Sequence, residues 1–129
     1  MEERIQSLTV FLVSNLEKSK EFYQKILECD VTDWWALRKD GIKLGIKLLQ
    51  ANETDSINPN SSQNKVVSDV YAYADDYTSL ETLYDQVKER GANIVQEPEE
   101  TNLDWGSWKE FSIQDPDGYV ISFGTARKN

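Results

Sequence analysis

The chain has 129 residues, enough for one domain in which folding buries roughly two-thirds of the unfolded surface and builds a core without staples. Its lone cysteine, Cys29, excludes an internal disulfide, and with no apolar run near ~18 residues and no basic-then-apolar start, neither a membrane span nor a signal peptide is expected. A formal net charge of −9 works against binding nucleic acid or anionic membranes and draws cationic ligands at long range, unless it serves solubility alone; the protein reads as cytoplasmic.

In chain order, Ile5 to Val13 is apolar and rich in β-branched residues, as a buried strand would be. Asn15 then caps a helix on which Leu16, Tyr23, Ile26 and Leu27 recur at helical spacing. Asp33 to Arg38 and Ile42 to Leu49 form a strand pair around the Asp40-Gly41 turn signal. Between residues 50 and 65 the composition turns to Asn, Ser, Thr and Asp, which predicts a solvated linker. Val66 to Ala74 resumes as a strand. Thr78 and Glu81 read as a capping box opening a helix on Leu80, Leu83, Tyr84 and Val87, which Gly91 ends. Ala92 to Gln96 is a short strand, and Glu97 to Gly106 an acidic loop. Glu110 to Phe123 closes the chain as a hairpin, because apolar residues alternate on both sides of Asp115-Pro116-Asp117-Gly118.

The order strand, helix, strands therefore occurs twice. Leu8 matches Asp69 and Asn15 matches Asp76, both 61 residues apart, and Gly41 matches Gly118 at 77, with the extra residues assigned to the acidic loop. The expected fold is α+β: two βαβββ-type repeats, about 5–50 and 66–126, joined by a linker at about 51–65. Together they form one curved mixed sheet with a concave cleft and the helices outside, in a single domain.

Asn15 to Tyr23 (NLEKSKEFY), Ala74-Asp75-Asp76 before a helix ending in Arg90-Gly91-Ala92, and Trp105-Gly106 followed by FSIQDPDGY resemble the vicinal oxygen chelate superfamily, which includes glyoxalases, extradiol dioxygenases and bleomycin-resistance proteins. The resemblance implies metal-ligand positions at Leu8, Gly45, Asp69 and Ser122. Of these only Asp69 offers a good donor, and the chain has no histidine, so no metal, no cofactor and no catalytic residue is expected. Strand alternation turns Trp35, Asp69, Tyr71, Tyr73, Glu110, Ser112 and Ser122 toward the cleft, and sets Phe11, Val13, Phe111, Ile113, Ile121, Phe123 and Trp34 against the helices. Trp105 and Trp108, beside the acidic loop, read as ligand or subunit contacts. Asp69 is either a ligand carboxylate or a satisfied polar residue at a sheet edge, and Cys29, without a base, is structural.

Such a cleft suits a flat cationic compound held by stacking and charge. The implied function is metal-free binding like that of the bleomycin-resistance branch, by a homodimer. A glyoxalase-like lyase, isomerase or dioxygenase with a non-standard site is the alternative, as is a binder of an unidentified metabolite.

Overall fold

The computed structural model describes residues 7–60 and 67–129; the start of the first expected strand and the end of the expected linker lie outside the described residues. In chain order the elements are β1 (Thr9–Val13), α1 (Leu16–Lys25), β2 (Asp30–Thr32), β3 (Trp35–Arg38), β4 (Leu44–Gln50), β5 (Val70–Tyr73), α2 (Tyr77–Glu89), β6 (Asn93–Leu103), β7 (Gly106–Gln114) and β8 (Val120–Lys128). This is the α+β duplication of two βαβββ modules. Each module forms a four-stranded mixed sheet, in the orders β1-β4-β3-β2 and β5-β8-β7-β6, with the first-named pair parallel. The two ladders are separate, joined by the Ile42–Ala74 bridge and by a hydrogen bond from Asp75 N to Gly41 O at 2.8 Å.

Helix starts follow from local chemistry. Asn15 is extended at φ −145° and its side chain accepts from Lys18 N at 3.1 Å, which satisfies one of the helix's unpaired donors. In α2 the cap is Asp76, accepting from Ser79 N at 2.8 Å, and the expected Thr78–Glu81 box is wrong because Thr78 already lies inside the helix. Asp76 is the residue that matches Asn15 in the duplication, so both helices start on an equivalent side-chain acceptor. Gly91 ends α2 at φ 86°, a conformation open to glycine without strain.

The acidic loop expected over Glu97–Gly106 is instead most of β6 and its turn. Glu100 stands across from Lys109 and ion-pairs with Arg127 at 3.5 Å, while Pro98 falls where the register shifts between Gln96–Ser112 and Glu99–Glu110. A proline is tolerated at such a bulge because no ladder bond is required of it, and acids on an edge strand discourage further pairing. The extra residues of the second module therefore lengthen β6, at 11 residues against 3 in β2, and α2, at 13 against 10 in α1.

Phe11, Val13, Ile46 and Leu48 of the first sheet share one buried core with Tyr23, Leu27, Leu80, Leu83, Phe111, Ile113, Ile121 and Phe123. Phe11, Val13, Phe111, Ile113, Ile121 and Phe123 are the residues that strand alternation sets against the helices. Trp34 is the exception: it is 45% exposed, because Asp33 at φ 43° turns the chain and takes Trp34 out of the strand into the β2–β3 connection. The connection after β4 has no strand or helix through residue 59, but it is not merely solvated. Ile57 packs on the core, and Asn60 bonds through N to Asp69 Oδ1 at 2.8 Å and through Nδ2 to Ser68 O at 3.1 Å.

Candidate ligand-binding site

The face of the second sheet opposite its helix carries a run of polar and aromatic side chains from three strands. Tyr71 and Tyr73 come from β5, Ser122 and Gly124 from β8, and Trp108, Glu110 and Ser112 from β7, with cross-strand pairs Ser112–Ser122, Glu110–Gly124 and Trp108–Ala126. Alternation with the buried Phe111, Ile113, Ile121 and Phe123 puts them all on one side.

Tyr71, Tyr73 and Trp108 touch one another. The Tyr71 and Trp108 rings lie at 28° with centroids 6.0 Å apart, and Tyr73 stands nearly upright to both, at 67° and 86°. A directed chain of hydrogen bonds runs through them. Trp108 Nε1–H donates to Tyr71 Oη at 2.8 Å, and Tyr71 Oη–H donates to Glu110 Oε2 at 2.7 Å. Burial first, then the bond to Glu110, holds the Tyr71 phenol well above its ordinary range, so it stays a donor at neutral pH and does not serve as a base. The arrangement is a two-ring floor with one aromatic wall and a carboxylate at its edge. Aromatic faces of this kind take flat rings or cations, at about 0.5–2 kcal/mol per contact.

Beside the floor lies a buried hydroxyl chain. Ser122 Oγ bonds Ser68 Oγ on one side and Ser112 Oγ at 2.6 Å on the other, and Ser112 donates to Gln96 Oε1 at 3.2 Å. With Ser112 and Ser122 1% and 2% exposed, their hydroxyls are spent on one another rather than offered to a ligand. Ser68 and Gln96 were not foreseen, because nothing local to either residue signals the partnership.

The remaining expected residues stand apart from this cluster. Both Asp69 oxygens accept backbone N–H groups, from Asn60 and Val120 at 2.8 Å each, so the carboxylate, just before β5, fastens the linker at Asn60 and the start of β8. Trp35 is in the first sheet with Lys47 Nζ 5.3 Å from its ring centre, so a ligand there would compete with the protein's own cation. Trp105 is exposed in the β6–β7 turn and makes no ring contact with the cluster among the described residues. A cleft of about 270 Å³ between Tyr84, Asp85, Pro98 and Lys109 is on the helix side, and two of its polar groups are already paired, Lys109 with Glu81 at 2.9 Å and Tyr84 with Glu97.

The resemblance calls for a test of a divalent metal at Leu8, Gly45, Asp69 and Ser122. Leu8 and Gly45 present no donor, the Asp69 oxygens are taken by backbone amides, and Ser122 is locked in the hydroxyl chain. This donor set does not fit a metal ion, and no three His, Cys, Asp or Glu side chains converge among the described residues. Cys29 is buried, and burial pushes its thiol up to about 12, the opposite of an activated nucleophile.

Comparison with known proteins adds to this picture. The chain is similar in fold to TnmS3, an antibiotic binding protein from Streptomyces, at 23% identity over 98% of each chain with TM-score 0.64. It is likewise similar to a glyoxalase/bleomycin resistance protein/dioxygenase from Alicyclobacillus acidocaldarius, at 14% identity over 93% of this chain and 89% of that one, with TM-score 0.67. A virulence protein from Salmonella typhimurium aligns at 20% identity over 97% of this chain and 98% of that one, with TM-score 0.62. No curated protein matches the chain. The model of the glyoxalase/bleomycin resistance protein/dioxygenase superfamily matches residues 4–123, nearly the whole chain and both modules, and the protein belongs to that superfamily.

Proposed function

We propose that this protein binds a small molecule without a metal ion, holding a flat cationic aromatic compound such as an antibiotic and sequestering it. The observation that carries this reading is the Tyr71–Trp108 floor with Tyr73 upright beside it and Glu110 at its edge. Stacking area and one carboxylate come together there, whereas no group is poised for acid, base or nucleophilic work. The net charge of −9 draws cations to the surface, and the antibiotic binding protein among the structural relatives makes antibiotics the first compounds to try. Catalysis by a lyase, isomerase or dioxygenase would need donors that this face lacks.

The test is a fluorescence titration with planar cationic aromatic antibiotics, with neutral antibiotics of like size and thiol-conjugated α-keto aldehydes as controls. Quenching by the cations alone, weakened as salt rises past about 0.1 M, is the expected result. Equal binding of the aldehyde conjugates, or no quenching at high micromolar concentration, would reject the reading. Trp108→Ala should cost roughly 2 kcal/mol of affinity, about thirtyfold, whereas Trp105→Ala should cost little. We propose further that the protein acts as a homodimer, since among the described residues the outer edges of β2 and β6 have no partner strand; light scattering that gives 14.9 kDa at micromolar concentration would refute this.

A further inference from the structure

Gly124 lies in the middle of β8, between Phe123, which is buried, and Thr125, and across from Glu110 and Tyr73. A lone glycine inside a strand weakens it, so the position calls for a reason. Backbone conformation is not that reason, because Gly124 is not among the residues with positive φ. Nor does the sheet require it. By the 77-residue spacing of the turns the counterpart of Gly124 is Lys47, and by the parallel ladders, where Leu12 pairs with Leu49 and its match Tyr73 with Gly124, it is Leu49; neither is a glycine. In the same ladder position the first module carries a full leucine side chain, 42% exposed.

What the second module has instead is an aromatic floor. A β-carbon on Gly124 would meet Trp108 Cζ2 at 2.7 Å and Tyr71 Cζ at 2.9 Å, and would come closer still to Tyr71 Oη. Real β-carbons do not approach other atoms that closely, so one or both rings would have to lift. Every one of these atoms belongs to a side chain rather than to the backbone, which means that the rings can move while the ladder stays intact. Lifting Tyr71 would also break both bonds through its hydroxyl, from Trp108 Nε1 and to Glu110 Oε2.

We propose that Gly124 is the positioning residue that sets what this face accepts: its bare backbone lets Tyr71 and Trp108 lie flat and fixes Tyr71 Oη on Glu110, so that the site takes a flat aromatic cation laid on the floor with its charged group at that carboxylate. The inference rests on the ligand reading above for the compound class, and on the glycine geometry for the role. Glu110 Oε2 is the end of the hydrogen-bond chain, so the free lone pairs of that carboxylate are the acceptors left for the ligand's donor. Gly124→Ala converts a flat floor into an uneven one and frees Glu110 from its holder, without adding or removing charge.

The test combines a readout that needs no ligand with one that does. In nitrogen-15 NMR spectra the Trp108 indole N–H, assigned by its loss in Trp108→Phe, should exchange with water more slowly than those of the exposed Trp34 and Trp105. In Gly124→Ala that signal should shift and exchange at least about tenfold faster, with the circular dichroism spectrum retained, and affinity for 9-aminoacridine, a planar aromatic cation, should fall at least about tenfold. A folded Gly124→Ala with an unmoved indole signal, or with a released indole and unchanged 9-aminoacridine affinity, overturns the proposal. Should Gly124→Ala fail to fold, Gly124→Ala/Tyr71→Ala decides: recovery of folding supports a glycine kept for the ring, and continued failure overturns it. If the indole is released as expected and wild-type protein shows no affinity for 9-aminoacridine or any other planar cation, the positioning role stands and the ligand class falls.

Discussion

Asp115 is a buried carboxylate that accepts three hydrogen bonds. It is 6% exposed; its Oδ2 accepts from Tyr23 Oη at 2.8 Å, and its Oδ1 from the amides of Asp117 and Tyr119 at 2.9 Å each. Burial pushes this carboxyl up to about 6, against the three hydrogen bonds, which favour the charged form. A raised value means that the folded state holds the proton more tightly than the unfolded chain does. The stability this proton brings is present in full below about pH 4 and is lost as pH rises through about 6, by at most about 3 kcal/mol. Melting temperature across this window should fall with pH more in wild type than in Asp115→Asn; parallel curves would show that Asp115 does not titrate there. Cys29 gives a second outcome at the same scale. With its thiol pushed up to about 12 by burial, it should not react with a disulfide reagent at about pH 8 until the chain unfolds, and then yield one equivalent.

Among the elements, the two helices stand on side-chain caps. Asn15→Ala removes the acceptor for Lys18 N and should destabilise the protein by about 1 kcal/mol, read as a lower urea midpoint at unchanged slope. That cap, the Asp-Gly turns and the helix-facing strand residues were legible in the sequence because each is decided by neighbours a few positions away. Three elements were not. Glu97, Glu99 and Glu100 read as loop because their strand character depends on partners across the sheet, Lys109 and Arg127 among them. Trp34 read as core because alternation assumes an unbroken strand, and Asp33 breaks it. Thr78 read as a cap because Thr-x-x-Glu is a fair signal, and the stronger acceptor two residues earlier outcompeted it. The site shows the same division. Alternation was enough to bring Tyr71, Tyr73 and Glu110 to one face, but whether a side chain is free or already engaged depends on contacts distant in sequence. Asp69 meets Val120 and Asn60, Ser122 meets Ser68, and Tyr71 meets Trp108 only once the sheet is assembled. Gly124 was there to be noticed as a lone glycine inside a strand, though its reason is visible only beneath the rings.

At the scale of the whole molecule, each module's closing turn is fastened to the other module's strand-to-helix junction. The turn before β8 reaches the first module through Tyr23–Asp115, through Ser14 N to Asp117 Oδ2 at 3.1 Å, and through Tyr119, which stacks on Phe11 at 4.0 Å and donates to Leu12 O at 2.7 Å. The turn before β4 reaches the second through Asp75 N to Gly41 O at 2.8 Å and the Ile42–Ala74 bridge. Ser14 and Asp75 are 61 residues apart, the spacing of the duplication, so the two contacts are related as the modules are. Neither sheet buries its outer apolar face without the shared core, and each junction is held by atoms of the other half. The two modules should therefore unfold as one unit, and the tryptophans allow this to be measured, since Trp34 and Trp35 report on the first module and Trp105 and Trp108 on the second. Variants retaining only one pair should give urea transitions with coincident midpoints, matching far-ultraviolet circular dichroism. Tyr119→Ala removes the stacked ring and a hydrogen bond from the junction, and should lower both midpoints together, by about 3–5 kcal/mol of stability. A first-module transition that moves while the second stays in place would mean that the halves fold separately and that these contacts only dock them.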